Sequence, residues 1–271
     1  QGYNLIVGAK GSPLELVLNT VYHLGRPVGA IPYSYYKELE SGRYSSAVEA
    51  AIPICVGDNY KGFRIVGTVP DFFVRLEYLG GKKYQFAQGE NFQKDKDFDA
   101  VVGATVARKT GLRLGDTFRP VHGVEAESGR EHDKFTVVGI LAPTGTPNDR
   151  ALFVNMEGFY RLHTEKSDDA DDPQETAAAS HDKPSAGKEA GHASGHGDEP
   201  IPDAKKKVTA VLVVLDESRI DQATALHREI NEEPVAQAVR PAEEITRLFE
   251  GLIGNVERVL LVLAVLIVIV A

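Results

Sequence analysis

The 271-residue chain carries 39 acidic and 30 basic side chains, a formal net charge of −9, and so lacks the basic face of a general nucleic-acid binder. Its single cysteine excludes an internal disulfide and any Cys-based zinc cluster. A composition of 42% hydrophobic and 25% charged residues describes a globular, water-soluble domain with room for one large core or two modest ones.

Taken in chain order, Leu5-Ile6-Val7 and Leu14 to Leu18 are predicted as strands, with Gly-Ser-Pro turn chemistry between them. Gly8-Ala9-Lys10-Gly11-Ser12 is only faintly like a phosphate loop. It lacks the G-x-x-x-x-G-K-[ST] spacing that wraps phosphates in backbone N–H groups, so a turn is expected and ATP hydrolysis must belong to another polypeptide. Pro32 to Leu39 is predicted as a short helix with Pro32 in its first turn. Tyr33, Tyr35, Tyr36 and Tyr44 either line a partner surface or pack this helix. Ala47 to Val56 and Gly62 to Val69 are predicted strands separated by a turn at Gly57-Asp58-Asn59. The lone Cys55 sits in the apolar run Ala51 to Val56 and is expected to be buried and inert.

After Phe72-Phe73, the polar, Gly-flanked stretch Lys82 to Glu90 is predicted as a loop. Ala100-Val101-Val102 is a buried strand, and Ala104 to Thr110 a helix ended by Gly111 at its C-cap. Leu114 to Phe118 turns into a strand, Phe135 to Leu141 is a β-branched strand, and Pro143 to Asp149 a turn-rich loop. Leu152-Phe153-Val154 is another strand and Met156 to Leu162 a short helix. Glu125 and Glu127, near His122, belong to an exposed polar hairpin. No G-x-S-x-G elbow, H-E-x-x-H or supported Cys/His pair is present, so no catalytic or cofactor-binding residue is assigned and the chain is not expected to be an enzyme.

Residues 165–200 contain no Val, Ile, Leu, Met, Phe, Tyr or Cys. Such a segment buries too little apolar surface to offset its ordering entropy, and a disordered acidic insertion is expected over 166–205. His181, His192 and His196 lie there among Asp182, Asp198 and Glu199, with His163 just before. Imidazole and carboxylate together suit Zn²⁺ or Ni²⁺, so His181, His192, His196 and Asp198 are candidate metal ligands, with a solvated acidic linker as the competing reading. Titrating zinc with and without 165–200 decides between them: equal, negligible heats end the metal reading.

Lys205-Lys206-Lys207 is expected to be solvated at a strand start. Val208 to Leu215 is a strand, and Ile220 to Asn231 a helix with Ala223, Leu226 and Ile230 on one face. Val235 to Val239 is a short strand. Over 242–258, Ile245, Leu248, Phe249, Leu252, Ile253 and Val256 form an amphipathic helical stripe. This stalk runs without a breaker into the thirteen apolar residues Val259 to Ala271, expected to be the start of a membrane helix, which needs about 20 such residues.

Four stretches carry a resemblance to a known family. They are Asp99 to Gly103 with Gly111-Leu112-Arg113-Leu114-Gly115-Asp116-Thr117-Phe118; Phe135 to Leu141; Pro143 to Arg150 with Leu152-Phe153-Val154; and the amphipathic exit helix. In order and spacing they resemble the extracytoplasmic domain of MacB/FtsX-like ABC transporter permeases. The resemblance implies an α+β fold. A porter-like subdomain would comprise 1–70 and 206–241, with an inserted β-rich sabre-like subdomain over 71–165. It further implies a four-helix permease in the cytoplasmic (inner) membrane, with this domain on the periplasmic side between the first two membrane helices. The implied partners are a cytoplasmic ABC ATPase, a second permease copy and a periplasmic adaptor. Three functions are expected in turn: mechanical transmission for export or extraction of a substrate; a scaffold that regulates cell-wall hydrolases; and a metal-sensing ectodomain. The 165–200 insertion departs from the MacB pattern.

Overall fold

The computed structural model describes residues 2–122, 134–164, 201–251 and 253. Strand β1 (Leu5–Ala9) leads into helix α1 (Pro13–Tyr22). The strand predicted at Leu14 to Leu18 is therefore the middle of a helix. The Ser12 hydroxyl accepts the Glu15 N–H at 3.2 Å and Pro13 opens the first turn, a capping arrangement that outweighs the local β-like apolar run. Strand β2 (Ile31–Pro32) and helix α2 (Tyr33–Glu40) follow.

The 13-residue strand β3 (Val48–Tyr60) then pairs antiparallel with β4 (Phe63–Thr68). The turn between them is Lys61-Gly62, with φ of 49° and 79°, the two-residue geometry whose twist matches the strands. Gly57-Asp58, predicted as the turn, is instead a bulge at which the β3–β4 register shifts between Val56 and Asn59. Helix α3 (Asp71–Arg75) precedes a hairpin of β5 (Glu77–Tyr78) and β6 (Lys82–Lys83), and β7 (Phe86–Gly89) comes next. Lys82 to Glu90 is thus largely strand rather than the predicted loop. The local β5–β6 hairpin and the pairing of β7 with the distant β11 override its polarity.

Strand β8 (Asp99–Val102) runs into α4 (Ala104–Thr110), which ends at Gly111 in the left-handed region as expected. Strands β9 (Thr117–Phe118), β10 (Val121–His122), β11 (Phe135–Leu141) and β12 (Ala151–Asn155) follow, and α5 (Met156–Thr164) closes the first half. Beyond residue 200 come β13 (Lys207–Val208), β14 (Ala210–Leu215), α6 (Ile220–Glu232), β15 (Ala236–Val239) and helix α7 over 241–251.

The large sheet runs β15-β1-β14-β3-β4-β12-β8-β11-β7, with β10 added on β3 and β9 on β11. The β4–β12 and β8–β11 pairs are parallel; the other pairs in it are antiparallel. Position 70 falls just after β4, which bonds to β3 on one side and β12 on the other, so the sheet passes without interruption from the 1–70 stretch into 71–165. Strand alternation divides the interior into two cores. Leu5, Val7, Val211 and Val213 face a core shared with α2, α5 and α6. Ile6, Ala210 and Leu212 face a second core with α1, α3 and Ile245 of α7. The fold is α+β: one mixed sheet between two helical layers.

Candidate functional site at the entry and exit of the chain

Strand β1 is the first element and β15 the last strand, and they are neighbours. Ile6 pairs with Val239 and Ala9 with Ala236. Because the pair is antiparallel, the chain enters the sheet at Leu5 and leaves it at Val239 on the same end. Pro241 opens α7 directly after this exit, where its missing N–H is no loss. Ile245 seats α7 on the second core, whereas Phe249 and Ile253 are 58% and 65% exposed. Among the described side chains of the stripe, Ile245 and Leu248 are half-buried and the later ones are exposed. Leu252 and Val256 lie outside the described side chains.

Two polar devices fix the turn that delivers β15. Asn231 Nδ2 donates to the Ala238 carbonyl at 3.0 Å and its Oδ1 accepts the Ala238 N–H at 3.1 Å. Lys10 Nζ donates to the Asn231 carbonyl at 2.6 Å. At the end of α6, Glu233 accepts hydrogen bonds from Tyr35, Tyr44 and Arg43. Tyr35 foremost, then Arg43 and Tyr44, hold its carboxyl below the usual carboxylate range, against the opposing effect of burial. The tyrosine cluster is thereby resolved. Tyr35, Tyr36 and Tyr44 are buried, Tyr33 packs partly buried against the same core, and they join α2 to the sheet rather than facing a partner.

The entering segment is gripped as well. A methyl on Gly2 would sit 1.8 Å from the Glu77 carbonyl oxygen, so the backbone of Gly2 lies directly against β5. Asn4 Oδ1 accepts the Leu215 N–H at 2.8 Å. Gly2, Tyr3, Asn4, Glu49, Arg75 and Glu77 share in lining an open cleft of about 770 Å³ at this end of the sheet.

The residues singled out in the sequence fall elsewhere. His181, His192, His196 and Asp198 lie outside the described residues, as do Glu125, Glu127 and the apolar run Val259 to Ala271. Among the described residues no group of three or more His, Cys, Asp or Glu side chains could hold a metal, and no helix is long and apolar enough to cross a membrane. His163 lies 3.4 Å from the buried Asp58, with its ring against Phe159. Cys55 is buried 3.3 Å from the Tyr160 hydroxyl, and burial pushes its thiol up to about 12, so it is no nucleophile at neutral pH. Gly8 to Ser12 serves as a strand end and helix cap.

Lys206, expected in solvent, is only 5% exposed. It lies 2.6 Å from Glu157 and 3.3 Å from Asp203, and over the rings of Tyr33 and Tyr160. It pins the returning chain to α5, and its burial depends on partners distant in sequence. Asn231 and Glu233 were likewise missed. Their signal was local: an Asn and then a Pro after the last apolar residue of a helix.

The family model described as MacB-like periplasmic core domain matches residues 5–186. Among solved structures, the extracellular domain of the noncanonic ABC-type transporter YknZ from Gram-positive bacteria aligns with a TM-score of 0.42 and 13% identity, over 88% of this chain and 100% of that one. No curated protein matches the chain.

Proposed function

The chain belongs to the MacB-like periplasmic core domain family, the extracytoplasmic portion of an ABC transporter permease-type protein, and from that premise we propose that it is a noncatalytic transmission element. In this reading a cytoplasmic ATPase moves membrane helices, α7 tilts, and the sheet carries the movement outward to act on a substrate. The observation that supports it best is the Ile6–Val239 pairing, which sets the incoming and outgoing chain side by side. A domain inserted between two membrane helices needs such adjacent ends. Residues 1–70 with 206–241 would form the porter-like base and 71–165 the sabre-like arm. A second copy of the permease and a periplasmic adaptor are proposed partners, and the cytoplasmic membrane the proposed anchor.

The test is purification of the full-length parent from its native membranes in mild detergent, with mass spectrometry of what accompanies it. An ABC ATPase is expected to co-purify. Its absence, under conditions that preserve other membrane complexes, overturns the reading. An accompanying adaptor supports export.

A further inference from the structure

We infer that the β5–β6 hairpin, together with the adjacent end of α3, rests on the surface of an anionic lipid bilayer. Leu79 at the hairpin tip is 57% exposed and adopts φ 41°, a left-handed conformation that bulky residues rarely occupy. Gly80 and Gly81 follow, also at positive φ. Val74 in α3 is 60% exposed. Two large apolar side chains are thus held in water within six residues, one of them on strained backbone. Strain of this kind persists where the surroundings use it. Lys82 and Lys83 are exposed beside the tip, and Arg75 is exposed next to Val74. Glu77 faces Lys83 across the hairpin. Glu49 and Asp216 line the neighbouring cleft, where Asp216 is balanced by Arg219 at 3.4 Å. An apolar tip flanked by cations is the arrangement that buries side chains at the headgroup–acyl boundary while the charges meet lipid phosphates.

The course of the chain indicates what covers this surface. Gly2 lies against Glu77, and Ile6 pairs with Val239, from which α7 leads toward the apolar run Val259 to Ala271. The hairpin therefore stands at the end of the sheet where the chain enters and leaves. The inference rests on the membrane-tethered reading given under Proposed function.

The chain contains no tryptophan, so single tryptophans report position without background. Leu79→Trp, Val265→Trp and, at the distant β3–β4 turn, Lys61→Trp are each reconstituted as the full chain. The vesicles are of phosphatidylcholine with or without phosphatidylglycerol, carrying brominated acyl chains as quenchers. The expected result is a blue shift and quenching at position 79, dependent on the anionic lipid, with none at position 61. Lys82→Gln with Lys83→Gln lowers the equilibrium of tip contact by about 30-fold, from the usual contribution of two basic residues near an anionic surface. Quenching at 265 with none at 79 overturns the hairpin contact and leaves the tethered reading intact. No quenching at either position overturns the tethered reading as well.

Discussion

The side-chain amide of Asn231 pairs with both backbone groups of Ala238, donating at 3.0 Å and accepting at 3.1 Å. It stands in for a neighbouring strand at Ala238 of β15, which among the described residues has only β1 beside it in the sheet, and so satisfies part of an edge that would otherwise invite pairing with another chain. Asn231→Ala removes both bonds and is expected to cost about 2 kcal/mol, read as a lower midpoint in urea. Because the same bonds hold the exit, the cleavage rate of the α7 segment by a dilute protease should rise more than that of α4.

Two helical glycines should respond with opposite signs to the same substitution. A methyl on Gly158 in α5 would lie 1.9 Å from the Asp97 carbonyl oxygen, a backbone atom that cannot swing away. Gly158→Ala is expected to destabilise by about 2 kcal/mol through overpacking. A methyl on Gly251 in α7 would meet nothing within 4 Å among the described residues, and Gly251→Ala should raise α7 helicity with a gain of ~0.5–1 kcal/mol in helix propensity. Urea midpoints and far-ultraviolet circular dichroism check the pair.

Acid should loosen the contact between α1 and the loop before β12. His23 Nε2 lies 3.0 Å from Asn148 Oδ1, and Asn148 Nδ2 donates to the Tyr84 hydroxyl at 2.6 Å. With Oδ1 as the acceptor, the neutral imidazole donates from Nε2. Burial lowers its pKa from 6.5 to about 4, the nearby Arg64 adds to the fall, and the Asn148 bond opposes it. The unfolded chain therefore binds the proton first. Stability is unaffected above pH 6.5 and falls as pH drops from 6.5 to 4, by at most about 3 kcal/mol from this group. Glu233, Glu40 and Asp216, whose pKa values are lowered, lose stability in the same direction at lower pH. Comparing the urea midpoint of wild type and His23→Gln at pH 7 and pH 4.5 isolates the histidine: the variant should lose less on acidification.

Cys55 offers a probe of global opening. Its thiol is buried and pushed up to about 12 by desolvation, so a thiol reagent at pH 8 should label the folded protein only at the rate of unfolding. Rapid labelling under native conditions would show that the β3–α5 contact opens locally.

The fold was legible where local chemistry and tertiary context agree. Phe135 to Leu141, Leu152 to Val154 and the Gly111-ended helix α4 follow from β-branched and apolar runs and a C-cap glycine. It was illegible where one signal serves two structures. Leu14 to Leu18 suits either strand or helix on apolar spacing, and Ser12 with Glu15 was the deciding cue. Gly57-Asp58 signals backbone irregularity, which a bulge satisfies as well as a turn does. Lys206 was read as exposed, and the tyrosine cluster was left open between a partner surface and helix packing, because their partners, Glu157 and Glu233 among them, lie far away in sequence. The entry–exit arrangement could not be read at all, since nothing local in Leu5 to Ala9 specifies pairing with Ala236 to Val239.

Strand β3 joins the two sides of the sheet: Val48 to Ile54 pairs with β14, and Cys55 to Tyr60 with β4. The two ladders are therefore joined through one continuous 13-residue backbone, with no side-chain interface between them. The bulge at Gly57-Asp58 lies within the β4-paired half, between the Val56–Val66 and Asn59–Arg64 pairs. A bend there would turn the last residues of β3, Asn59 and Tyr60, together with the β10 strand paired to Asp58 and Asn59, while the β14 ladder stays closed.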